Sequence, residues 1–208
     1  GDMAAVATTK TPSHALAWGP LAATPEFITV GEDYALHWLL SEGRLVSKML
    51  PLPAGPTRRH FTAVCFESNS RIFIGDNFGC VWLIEAQGEV TCSKCTGSIA
   101  GEVTSLFASG GRLMVGSSGC DLTLLEAGVS SNGGDYTVSR RLTVDGPVNS
   151  LVMDPSGSEG IVGTGSSTVW YCNIERSEVV QLVSGHQGQV LSISAASGTP
   201  YYATSCFD

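Results

Sequence analysis

Positive charge is scarce in this chain: 11 Lys and Arg stand against 19 Asp and Glu, a formal net charge of −8. A general nucleic-acid binder needs a basic footprint, so that class is excluded as an expectation. Charged residues of either sign make up only 14% while hydrophobic ones reach 43%, which excludes a disordered tail and calls for a packed core. Long apolar runs are missing too. None approaches the roughly 18 residues needed to cross a bilayer, so no membrane partner is expected. No secretory leader opens the sequence as given, and its seven cysteines are odd in number and scattered. Free thiols in a reducing, cytoplasmic setting are therefore expected rather than a disulfide framework.

What is abundant is glycine, 25 residues among 208, spread between short apolar runs. Short strands punctuated by tight turns indicate an all-β protein. Residues 1–12 show no amphipathic pattern and read as a lead-in. Five units follow. Their first strands read HALAW, TAVCF, TSLFA, NSLVM and LSISA, sharing an apolar position at Leu16, Val64, Leu106, Leu151 and Ile193. Those positions recur at intervals of 48, 42, 45 and 42 residues. Second strands read FITVG, RIFIG, RLMVG, GIVG and YYAT, aligned on Gly31, Gly75, Gly116, Gly163 and Thr204.

Short polar turns lead into third strands ALHWLL, CVWLIE, DLTLLE and STVWYCN, where Trp38, Trp82 and Trp170 are read as equivalent. More polar fourth strands close each unit, as suits an outer edge. The longest insertion, residues 126–135, is expected to be mobile. A period near 40–45 residues is that of a β-propeller blade, whereas a sandwich requires no regular period.

The final stretch, GHQGQVLSISAASGTPYYATSCFD, resembles the front half of a WD40 repeat: a Gly-His opening, two strands and an aspartate. The upstream units are similar to degenerate copies, with no Trp-Asp ending any third strand. The resemblance implies units at about 13–55, 56–98, 99–143, 144–184 and an incomplete 185–208. That makes four and a half four-stranded blades, an open arc of a larger propeller. It also implies a structural hydrogen-bond network of His186, Thr204 or Ser205, and Asp208. Those are the residue types of a Ser-His-Asp triad, but in this family they fix the blade.

Other constellations have plain readings. Cys92-x-x-Cys95 lacks a second pair of ligands at metal-binding spacing. The stretch from Gly163 to Ser167 lacks the Lys and the following helix of a phosphate loop. Arg140-Arg141 alternates along an outer strand and is read as a solvated edge. No catalytic, metal or cofactor set emerges, and the first strands carry Ala, Ser, Thr, Leu and Val rather than converging carboxylates. An enzyme is not expected. The one basic cluster with a candidate role is Arg58-Arg59-His60. With Glu32, Asp33, Asp76 and Asn77 it is assigned to a partner-binding face.

Units such as FITVGEDYALHW are further similar to propellers of cilia- and flagella-associated proteins and of the echinoderm microtubule-associated-protein-like family. That resemblance implies a protein scaffold with tubulin or other axonemal and centriolar partners. The alternative is a general cytoplasmic adaptor in trafficking or ubiquitin-ligase assembly.

Overall fold

The structure is a computed structural model that describes residues 7, 9, 11–20, 25–52, 58–68, 71–85, 91–96, 99–128, 135–184, 188–196, 199 and 201–206. Among them the chain is all-β. The first sheet comprises β1 (Ser13–Trp18), β2 (Glu26–Gly31), β3 (Tyr34–Ser41) and β4 (Arg44–Met49). The second holds β5 (Phe61–Ser68), β6 (Arg71–Asp76), β7 (Val81–Glu85) and β8 (Thr91–Thr96). The third holds β9 (Val103–Ser109), β10 (Arg112–Ser117), β11 (Asp121–Ala127) and β12 (Tyr136–Thr143). The fourth holds β13 (Val148–Met153), β14 (Glu159–Thr164), β15 (Thr168–Asn173) and β16 (Glu178–Ser184). A two-stranded sheet of β17 (Val190–Ala195) and β18 (Tyr202–Cys206) follows. Every sheet is an antiparallel meander in chain order.

Successive sheets meet face to face through their first strands, β1 with β5, β5 with β9, β9 with β13 and β13 with β17. The sheets form an open arc rather than a closed ring. Three apolar clusters lie between the first and second, second and third, and third and fourth sheets.

One contact repeats along the arc. Gly75, Gly116 and Gly163 leave no room for a Cβ, because the side chains of Val103, Val148 and Val190 fill that space from the next sheet. All three valines are fully buried. A glycine inside a strand costs backbone entropy, and here it is tolerated because it admits a neighbouring strand.

Strand register confirms the first-strand alignment and corrects the second. Leu16, Val64, Leu106, Leu151 and Ile193 pair with Thr29, Ile74, Val115, Val162 and Thr204. The equivalents of Gly75 are therefore Val30 and Ser205, one residue away from Gly31 and Thr204. Gly31 is glycine for another reason: the Tyr34 ring and the Pro12 carbonyl occupy its Cβ space. Trp38 also moves. Trp82 and Trp170 pair with Ile74 and Val162 and are equivalent, but Thr29 pairs with Leu36. Trp38 lies two residues further along and pairs with Phe27.

Trp18, Phe27 and Trp38 stack in a ladder with 5.8 Å between successive ring centroids. It stands on the face of the first sheet that points away from the second. Trp18 is 61% exposed and Met49 63%.

Candidate functional site

The loop entering β5 is clasped between two turns. The turn joining β2 to β3 reaches it through Asp33 N–H, which donates to the Arg59 carbonyl at 2.9 Å. In return Arg59 N–H donates to Asp33 Oδ1 at 2.9 Å. The turn joining β6 to β7 holds it from the other side: Asn77 N–H donates to the His60 carbonyl, and His60 N–H donates to Asn77 Oδ1 at 3.1 Å. The structure thus brings Glu32, Asp33, Arg58, Arg59, His60, Asp76 and Asn77 together at one end of the first two sheets.

They do not all face solvent. Asp76 is fully buried, and its carboxylate is taken up inside the protein. It accepts from the N–H groups of Phe78 and Cys80 at 2.9 Å each, from Trp82 Nε1 at 3.0 Å, and from Arg59 Nη1. A short acidic side chain that turns back on its own loop's donors gains more than one left in water. The Arg59 guanidinium then lies over the Trp82 and Phe78 rings, 5.1 and 5.5 Å from their centroids. The exposed part of the face is Arg58, with Glu32 at 3.2 Å and Asp33 at 3.9 Å, and the ring of Phe78. Exposed ion pairs of this kind add little stability. Phe78 was not singled out from the sequence. Its signal is an aromatic where the Asp-Asn-x-Gly turn ordinarily carries a polar residue.

Next to this face is a hollow of about 430 Å³ lined by His14, His60, Thr62, Asn77 and Glu102. His14 on β1 and His60 in the loop entering β5 stack with centroids 5.8 Å apart. The Thr62 hydroxyl donates to the Val103 carbonyl at 2.6 Å, tying the second sheet to the third. A second hollow, about 560 Å³, lies between the fourth sheet and the β17–β18 pair, where the last sheet has two strands.

The network expected from His186 and Asp208 lies outside the described residues; Thr204 and Ser205 are on β18. Related networks occur upstream with altered residues. In the second sheet Arg59 precedes the first strand, Asp76 takes the turn and Trp82 the third strand. In the fourth, Asp145 precedes the first strand. Its Oδ1 accepts from Thr168 Oγ1 at 2.7 Å, Trp170 Nε1 at 3.0 Å and Thr164 Oγ1 at 3.2 Å. The acid has moved from turn to loop, and a threonine occupies the turn. In the first sheet Trp38 Nε1 donates to Thr29 Oγ1 at 2.9 Å. Apart from Arg59 Nε, these donors and acceptors satisfy one another, which suits them to holding turns rather than to bond-making chemistry.

The cysteine pair on β8 is divided by its strand. Cys95 packs with the core between the second and third sheets, and Cys92 with that between the first and second. They face opposite sides and cannot chelate one ion together. No group of three or more His, Cys, Asp or Glu suited to a metal occurs among the described residues. Burial pushes the Cys95 and Cys172 thiols up to about 12 and Cys92 to about 11. At pH 8 a pKa near 12 leaves about one thiolate in ten thousand. In native protein a thiol-exchange reagent is therefore expected to leave Cys95 and Cys172 unmodified until the chain unfolds. Rapid labelling of either at neutral pH would show that the core is not closed around it.

No family model matches the chain. It is similar to WD repeat-containing protein 90 from Mus musculus, with 29% identity over 93% of this chain. The Homo sapiens protein of that name is 28% identical over 93% of it. Centriole proteome protein 16 from Chlamydomonas reinhardtii is 24% identical over 95%. The chain spans only 11–12% of the length of these relatives. Among solved structures it superposes on the β-propeller domain of Cps50 (Swd1) from Myceliophteria thermophila with a TM-score of 0.78 and 14% identity. That match covers 96% of this chain and 69% of that one. A chain of the Mitotic Checkpoint Complex gives a TM-score of 0.75 at 15% identity, covering 92% and 57%. The fold is that of a WD40-type β-propeller, present here as an open arc.

Proposed function

We propose that this WD40-type propeller arc is a non-enzymatic docking platform, and that partners bind where the β2–β3 turn, the loop entering β5 and the β6–β7 turn meet. One observation carries the reading. Phe78 is half exposed at a turn tip, yet the Arg59 guanidinium beneath it and the Asp76 contacts to its own backbone hold it in place. An aromatic kept rigid in water, on the same face as the exposed Arg58, has the make-up of an interface anchor, since little entropy remains to be lost on binding. The likeness to Centriole proteome protein 16 supports a centriolar setting; on this reading the chain serves the cilium, flagellum or centriole cytoskeleton, with tubulin or another axonemal or centriolar protein as the partner. The chain's net negative charge disfavours the acidic tubulin tails. Such a contact is therefore local.

In the full-length parent, Phe78→Ala combined with Arg58→Ala is expected to leave folding intact and to weaken co-sedimentation with microtubules about tenfold. Unchanged co-sedimentation, or none by the unaltered parent, would remove the microtubule reading.

A further inference from the structure

We infer that the hollow lined by His14, His60, Thr62, Asn77 and Glu102 receives a basic side chain, a lysine or arginine presented by the docked protein. The inference rests on the docking role proposed above and assigns the partner's chemistry.

Most of the acidic side chains around the face already have a basic partner. Glu32 and Asp33 are paired with Arg58, and Asp76 with Arg59. Glu102, at the entry to β9, lines the hollow, and its carboxylate has no ion pair among the described residues. Its backbone is fixed independently, because Glu102 N–H donates to Ser118 Oγ at 2.8 Å and its carbonyl accepts from Ser118 N–H at 2.9 Å. The carboxylate is therefore the uncompensated charge of a concave site on a rigid frame.

The remaining lining adds shape and polar contacts. The stacked His14 and His60 rings form a flat wall, and Asn77 and Thr62 carry side-chain oxygens. At about 430 Å³ the hollow lies within the range that takes a small ligand or one long side chain. Among the described residues no lysine or arginine lines it. An acidic side chain would meet Glu102 without compensation. An apolar one would bury that charge unpaired, which costs more than the contact returns. A basic residue inserted there, with an apolar neighbour against Phe78, satisfies both features.

The test uses the 208-residue chain and a random heptapeptide display library. Enriched peptides are then titrated against the unaltered chain, Glu102→Gln and Phe78→Ala, each checked for folding by circular dichroism. The expected result is enrichment of Lys or Arg. Affinity should fall about tenfold on replacing that residue with citrulline, and similarly in Glu102→Gln, with binding weakening as salt rises. Enriched peptides without basic residues, or equal binding by Glu102→Gln, would overturn the inference. If Phe78→Ala weakens such peptides and Glu102→Gln does not, the docking face stands and only the basic partner falls. Indifference to both substitutions, or no enrichment at all, would reject the face as well.

Discussion

Asp76→Ala is expected to lower the stability of the chain by about 3–5 kcal/mol, the range for breaking one side of a buried charge pair. The buried carboxylate has four partners, and alanine replaces none of them. The N–H groups of Phe78 and Cys80 and the Trp82 indole would each lose an acceptor, at roughly 1–3 kcal/mol for every donor left dry. Arg59 is less trapped, because its side chain is 23% exposed and can swing toward water. That relief keeps the total below the sum of the parts. Asp76→Asn retains one oxygen for the turn and should cost less than half as much. In a chain of this size about 4 kcal/mol corresponds to a fall in Tm on the order of 10 °C. Urea unfolding followed by Trp fluorescence measures it, and a change under about 1 kcal/mol for Asp76→Ala would refute the account.

Gly75→Ala should destabilise the chain by a smaller amount, although alanine ordinarily improves a strand by about 0.5–1 kcal/mol over glycine. Here the added methyl overlaps the Val103 side chain, which belongs to a strand that cannot retreat without opening the core between the second and third sheets. Overpacking of this kind costs about 1–3 kcal/mol and outweighs the backbone gain. Val103→Ala alone leaves a cavity and should cost about 2 kcal/mol. The double variant removes the overlap and the cavity together. Its loss should be smaller than the two single losses added, by at least about 1 kcal/mol. Simple additivity in a thermal or urea double-mutant cycle would mean that the glycine and the valine do not act as a pair.

Much of the architecture could be read before any coordinates. The first-strand positions share one register because the inner strands pack against a neighbouring sheet, where Val64, Leu106 and Leu151 each meet an apolar cluster, so the apolar period remains readable. Pairing partners were less legible. Gly31 and Trp38 are the right letters in a unit whose β2–β3 turn is shorter than the others, and a slip of one residue in a strand sends its side chains to the opposite face. The residues assigned to the candidate face could be read as a group but not as a surface. Asp76 reads as a solvated turn residue until the donors of Phe78, Cys80, Trp82 and Arg59 are found around it. Phe78 lacks a periodic partner in the sequence, and only its exposure on a fixed turn gives it meaning.

The order of the sheets has an energetic consequence along the chain. Among the described residues each sheet makes its substantial contacts with the sheets before and after it, so the arc approximates a row of coupled units. Damage at one junction should loosen two units and leave more distant ones nearly untouched. Amide exchange would then show a gradient, slowest in the second and third sheets, which are flanked by four-stranded sheets on both sides. It would be fastest in the β17–β18 pair, which has a neighbour on one side and half the usual strands. Under mechanical load the arc should yield unit by unit from that end, each step releasing the roughly 40–45 residues of a single repeat.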